Sequence, residues 1–232
     1  MLSSGLPGTE ISYCRFHTRA LVGVVLQQPG LIWQDSKPIA RDPMPPQSKP
    51  VRIGYEQLGV AGFYKSQARS YRNPHEPVVR TLLHQILIDW NLDLTSVLDL
   101  AAGSGEVTMA LREMKDVKLG SIRGIDPMTY EAYLDRTGSV ATRESFEDIA
   151  AGALRGQQFS IVICSFAMHL LEQSRLPMLA LELAEVSPAL LILTPHKRPV
   201  IQQKWGWRLT HETVEQRVRA RLYNAIRRPC SD

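Results

Sequence analysis

The segment Val97-Leu-Asp-Leu-Ala-Ala-Gly-Ser-Gly-Glu-Val-Thr108 sets a carboxylate, Asp99, in a short apolar run and follows it with Gly103 and Gly105. Glycine reaches backbone conformations closed to other residues and lets a ligand approach the main chain. A helix starting near Glu106 directs unpaired amides toward that ligand and favours its carboxylate end. Strand, glycine turn and helix in this order form a cofactor-binding loop. Dinucleotide enzymes use a related loop, but they usually need a third glycine in GxGxxG. Here that position is Thr108.

An acid four residues before Gly103 makes the segment resemble motif I of class I S-adenosylmethionine-dependent methyltransferases. The variant Asp99-Leu-Ala-Ala-Gly-Ser-Gly105 is similar to that of ubiquinone and menaquinone C-methyltransferases, and it carries Ala101 where a first glycine often sits. The resemblance implies S-adenosylmethionine as cofactor, held by Asp99, Ala101, Gly103 and Gly105. Asp126 and Pro127 stand about 20 residues further on, the separation of one α/β unit. A carboxylate there suits the two ribose hydroxyls, although an aspartate before proline is also ordinary turn chemistry. In Glu144-Ser-Phe-Glu-Asp148, Ser145 or its backbone is expected at the adenine edge and Phe146 over a ring face. Phe146 as core packing and Asp148 as a helix cap are the competing readings.

Cys164-Ser-Phe-Ala-Met-His169 is similar to motif IV of that family, which passes the cofactor sulfur, and it places Ser165 among the cofactor contacts. It lacks the NPPY-type signature of enzymes that methylate adenine or glutamine amino groups. His169 is the candidate catalytic group, as a base near neutral pH or as an acceptor-positioning residue; a structural histidine is the alternative. Gly62-Phe-Tyr-Lys and Ser70-Tyr-Arg-Asn-Pro-His-Glu-Pro77 precede the first core helix, where the family often folds a lid over the cofactor. Tyr71 is expected at the cofactor, and Tyr64, Arg72 and His75 at the substrate. His196, in Thr194-Pro-His-Lys-Arg-Pro199, joins them as a substrate contact. Trp205 and Trp207 are read either as walls of an acceptor pocket or as core. No metal site is expected.

The elements that must position these groups are legible as alternating periodicities. Helical spacing marks 77–90, 106–114, 130–136 and 175–186. Buried-strand runs mark 96–100, 121–125, 159–164 and 189–193, with a short third strand over 142–146. Two further strands, 207–214 and 217–223, suit an antiparallel hairpin. In the second, Val218, Ala220 and Leu222 alternate with Arg217, Arg219 and Arg221, as one buried face demands. The expected fold class is α/β: a seven-stranded, mostly parallel, Rossmann-like methyltransferase sheet with helices on both faces and an antiparallel terminal hairpin.

The 232 residues suffice for one such domain and an extension. The proline-rich stretch 37–50 reads as a linker, so residues 1–50 are expected to be an N-terminal extension and 51–232 the folded unit. Twenty-seven basic and 23 acidic residues give a formal charge of +4, which by itself implies no nucleic acid. Arg217, Arg219, Arg221, Arg227 and Arg228 form a basic stretch, read as a charged guard on an edge strand. Cys14, Cys164 and Cys230 lie far apart without ligand spacing, which points to a reducing compartment. No apolar run approaches the roughly 18 to 20 residues of a membrane span. A cytoplasmic location is expected, with a mitochondrial one open because the leading segment is poor in acids. The expected partner is a small-molecule methyl acceptor. The alternatives are RNA or protein methylation through the basic rim, and a non-catalytic binding module of the same fold.

Overall fold

The computed structural model describes residues 69–115 and 117–226, with Gly59 and Gly62 before them. In chain order the elements are α1 (Glu76–Asp89), β1 (Ser96–Leu100), α2 (Glu106–Glu113), β2 (Ser121–Ile125), α3 (Tyr130–Thr137), α4 (Phe146–Ala150), β3 (Ile161–Ser165), α5 (Leu176–Val186), β4 (Ala189–Thr194), β5 (Trp207–Glu215) and β6 (Val218–Ala225). Single 3₁₀ turns occupy Met168–Leu170 and Gln203–Trp205. The six strands lie in the order β2-β1-β3-β4-β6-β5. The first four are parallel, and β6 runs antiparallel to both β4 and β5.

The period of two divides the core between the faces of the sheet. Leu98, Leu100, Val162, Cys164, Leu190 and Ile192 pack with α4 and α5 residues such as Ile149, Leu179 and Leu183. Val97, Ile161, Ile163, Leu191 and Leu193 face the other way, onto Leu82, Ile86, Val107 and Leu111 of α1 and α2. The β6 residues Val218, Ala220 and Leu222 join this second cluster. A sheet so covered is the three-layer α/β arrangement that parallel strands require.

The expected third strand at 142–146 does not form. Thr142 makes one parallel bridge to Ile125, with its amide on the Gly124 carbonyl and its carbonyl on the Asp126 amide. The ladder stops there because Ser145 and Asp148 make a capping box. Ser145 Oγ accepts from the Asp148 amide at 3.1 Å, and Asp148 Oδ2 accepts from the Ser145 amide at 2.8 Å. That reciprocal pair starts α4 at Phe146, so among the described residues the sheet has six strands.

The hairpin forms as expected, but β6 is internal and β5 is the edge. Arg221 is therefore buried, not an outward guard. Its Nε donates to Glu212 Oε1 on β5 at 3.0 Å, and Arg219 pairs with the same carboxylate. Glu212 thus offsets two of the charges counted toward a basic surface. Arg227, Arg228, Cys14 and Cys230 lie outside the described residues, as do the proline-rich stretch and the boundary near residue 50. Trp207 is core, with its indole N–H on the Ala180 carbonyl at 2.7 Å. No described helix is long and apolar enough to cross a membrane.

Candidate cofactor cleft

The strand order reverses between β1 and β3, and ligands of open α/β sheets bind outside the carboxyl ends of the strands at such a reversal. A cleft of about 380 Å³ opens there, within the range of small-molecule sites. Its walls include Tyr71, Ala101, Gly103, Asp126, Pro127, Ser145, Phe146 and Ser165. These are most of the residues expected at a cofactor, drawn from five separate stretches of sequence.

The glycine loop is built by three carboxylates. Asp99, fully buried at the end of β1, accepts from the Thr108 amide at 3.2 Å and from Thr108 Oγ1 at 2.7 Å through one oxygen, Oδ2. It thereby takes one of the amides that the first turn of α2 leaves unpaired, and Thr108 Oγ1 lies 3.0 Å from the Tyr133 hydroxyl. Thr108 fills the place of a third glycine because its hydroxyl serves this buried network. Asp99 lies beneath the loop rather than on the cleft wall. Its second oxygen is buried without a partner, and burial, with Glu106 and Asp126 nearby, pushes its carboxyl up to about 7.

Such a shift couples to stability. Between the ordinary carboxyl pKa of 3.8 and about 7, the folded chain holds a proton that the unfolded chain has lost. The contribution of Asp99 to stability therefore falls as pH rises through that window, by at most about 1.4 kcal/mol per unit, and is level above it. Asp99→Asn removes this dependence while keeping an oxygen for Thr108. Urea denaturation at pH 5 and pH 8 is expected to show the variant gaining on the parent at the higher pH.

Asp126, at the end of β2, shapes the loop from outside. Its Oδ2 accepts from the Gly103 amide at 3.0 Å, and its Oδ1 from the amides of Met128 and Thr129 at 2.8 and 2.6 Å. Thr129 Oγ1 in turn donates to the Gly103 carbonyl at 3.0 Å. Glu106, the third acid, is buried and accepts from the Asn73 amide at 3.0 Å and the Ser104 amide at 3.1 Å. Arg136 reaches Ser104 Oγ at 3.3 Å and bridges Glu106 and Glu76. Glu106 thus ties the segment before α1 to the loop.

The backbone explains the residue types. Gly103 has φ +60°, and a Cβ there would lie 2.8 Å from Glu106 Oε2 and 3.3 Å from Tyr71 Cε1. Gly105 has φ +87° and faces Thr137 and Tyr133, away from the cleft. Ala101 also adopts a positive φ, +54°, so its position favours glycine even though alanine occupies it. A left-handed alanine costs about 1–2 kcal/mol, whereas glycine loses about 0.5–1 kcal/mol more entropy on folding. Ala101→Gly is expected to leave stability unchanged or raise it by up to about 1.5 kcal/mol, read as an upward shift in Tm.

Other expected residues stand elsewhere. Ser145 lines the cleft, but its amide and hydroxyl belong to the capping box, and its carbonyl accepts from Ile149. Arg72 is exposed and bonds the Tyr71 carbonyl. His75 stacks on Phe166 with centroids 5.0 Å apart, at the rim. His169 and His196 are in ring contact at 4.4 Å, and His169 lines a second cavity of about 350 Å³. Burial and His196 hold the His169 imidazole down to about 4, so it is neutral at physiological pH and a weak base. Tyr64 lies outside the described residues. Cys164 is a buried free thiol, pushed up to about 12 by burial.

Several wall residues escaped the sequence reading. Phe166 lines the cleft at φ +56°, a conformation that bulky residues rarely adopt. Asn73, Glu106 and Glu144 face the same space, and Glu144 Oε2 and Ser165 Oγ are buried without hydrogen-bond partners. Phe166, Asn73, Glu106 and Glu144 all lie within segments that the sequence singles out, but none of them is picked as a contact there.

An uncharacterized protein of Schizosaccharomyces pombe is 34% identical to this chain, covering 75% of the chain and 92% of the relative. The chain belongs to that protein's family. No protein-family model matches it. Among solved structures, magnesium protoporphyrin IX methyltransferase from Synechocystis PCC 6803, with bound SAM, is 16% identical with a TM-score of 0.50, over 76% of this chain and 96% of that one. The PH0226 protein from Pyrococcus horikoshii OT3 is 13% identical with a TM-score of 0.51, over 70% and 96%. Family membership links this chain to a relative of unstated activity, and the structural likeness shows the fold of a class I methyltransferase.

Proposed function

We propose that this chain is an S-adenosylmethionine-dependent methyltransferase acting on a small-molecule acceptor. The observation that carries the reading is the cleft itself, where the Ala101–Gly103 backbone, Asp126, Phe146 and Ser165 converge at the strand-order reversal. The Synechocystis neighbour of the same fold was crystallised with bound SAM. The residues present fit the cofactor: Glu144 and Ser165 have buried, unpartnered oxygens at the cleft wall.

When bound, S-adenosylmethionine supplies a methyl group activated on a sulfonium. Asp126 accepts from a ribose hydroxyl. With three backbone donors already on its two oxygens, about one of its four acceptor sites remains for that contact. Phe146 would cover the adenine face, and Glu144 would take the adenine edge that Ser145 is not free to meet. The glycine loop and Tyr71 would receive the methionine end. Ser165 and Phe166 would face the reacting end of the cofactor, where this turn would exclude water and position the acceptor. Orientation of that kind supplies roughly 7–11 kcal/mol of barrier lowering, so no strong base among the wall residues is required. His75 and Arg72, at the rim, guide the acceptor inward, and Tyr64 is assigned with them. Residues 51–232 form the catalytic domain, with residues 1–50 as an extension, in the cytoplasm or in mitochondria.

Thermal denaturation with added ligands tests the cofactor class. S-adenosylhomocysteine at 100 times its Kd stabilises by about 2.7 kcal/mol, a shift of several degrees, while NAD at the same concentration leaves Tm unchanged. A shift with NAD alone would turn the reading toward a dinucleotide enzyme.

A further inference from the structure

The second cavity, about 350 Å³, lies across the Ala167–Glu172 turn from the cofactor cleft, and Leu171 contributes to the walls of both. We infer that this cavity is a binding site for a small aromatic carboxylate, held by His169 and Arg198. The site lies outside the cofactor cleft, so its ligand is distinct from the acceptor held there and its binding does not depend on the reading above.

The walls fix the chemical class. Met168, Leu176 and Trp205 are buried apolar side chains facing this space, and a thioether beside an indole favours a ring. His169 is a half-buried polar group on its wall, with the exposed Gln173 and Gln202 around the opening. Its Nδ1 is buried and has no hydrogen-bond partner. A buried ring nitrogen without a partner is costly whether it is donor or acceptor, and the neutral imidazole carries one N–H, with which His169 can meet a ligand oxygen. Arg198, at the exposed mouth, touches only Gln173 Oε1 at 3.5 Å, and no described carboxylate pairs with it. A cation without a counter-charge at the mouth of an apolar pocket complements an anionic group.

The mouth is held in place by the hairpin. Arg221 donates to the carbonyls of Lys197 at 2.9 Å and Pro199 at 2.7 Å. The Ile201 amide donates to the Tyr223 hydroxyl at 3.4 Å. Two buried β6 side chains thus hold the loop carrying Arg198, a preformed arrangement that lowers the ordering cost of binding.

The test uses 2-naphthoate and 2-naphthol as probes on the full chain with histidine rings ¹³C-labelled, followed by NMR with and without S-adenosylhomocysteine. Naphthoate is expected to saturate and to move two histidine signals, assigned to His169 and His196 by substitution. Arg198→Gln is expected to weaken naphthoate at least fivefold and leave naphthol unchanged, while His169→Phe weakens both. None of these changes should alter affinity for S-adenosylhomocysteine. The site is refuted if naphthoate shows no saturable binding, if S-adenosylhomocysteine displaces it, or if neither substitution affects it. If naphthoate binds as expected but S-adenosylhomocysteine does not bind, the cavity assignment stands and the methyl-transfer reading falls.

Discussion

Asp126→Ala is expected to weaken binding of S-adenosylhomocysteine at least tenfold and to lower stability by about 3 kcal/mol. Two losses combine. The ribose contact disappears, and charge-assisted hydrogen bonds of this type are worth roughly 1.5–3 kcal/mol. The amides of Gly103, Met128 and Thr129 also lose their acceptor, and Gly103 is then held at the cleft only through its carbonyl, by Thr129. Asp126→Asn separates the two, since its single carbonyl oxygen keeps part of the loop scaffold without the charge. Calorimetric titration and urea denaturation of both variants read the two effects independently. Unchanged affinity in Asp126→Ala would remove Asp126 from the cofactor contacts.

Gly103→Ala is the second large effect, and it acts through space rather than charge. Its φ of +60° strains any side chain, at about 1–2 kcal/mol. The added methyl also meets the Glu106 carboxylate and the Tyr71 ring, and Glu106 is held in turn by Asn73, Ser104 and Arg136. Relief of the clash must displace either Tyr71 or the buried acid, so the cleft wall moves. Affinity for S-adenosylhomocysteine is expected to fall more than tenfold, with Tm lower by several degrees. Gly105→Ala strains the loop without entering the cleft, so its loss of affinity is smaller relative to its loss of stability. Equal ratios of affinity loss to stability loss in the two variants would contradict the placement of Gly103 alone at the ligand.

What was legible in the sequence depended on whether local chemistry or tertiary pairing decided the outcome. β1, β3 and β4 declared themselves as apolar runs, because a strand buried on both faces has little other choice, while the edge strand β2 was marked by its run up to Asp126. The loop and Asp126 were legible because a left-handed turn and a backbone-capping carboxylate demand particular residue types. Thr142–Phe146 misled because Thr and Phe suit strands, while the Ser145–Asp148 capping box, four residues long, decided for helix. Arg221 misled because alternation identifies the two faces of a strand but not whether a neighbouring strand and loop cover the second one. Phe166 was invisible, since nothing in its type announces a positive φ. The rim histidines were legible as chemistry but not as places: His169 and His196 meet each other beside a separate cavity, and only the folded chain shows that.

Equilibrium dialysis of the full chain against S-adenosylmethionine labelled in its methyl group tests the central claim most directly. The account predicts saturable retention of one ligand per chain, displaced by S-adenosylhomocysteine and lost in Asp126→Ala. Retention no greater than for a chain-free control, at ligand concentrations into the millimolar range, would contradict it.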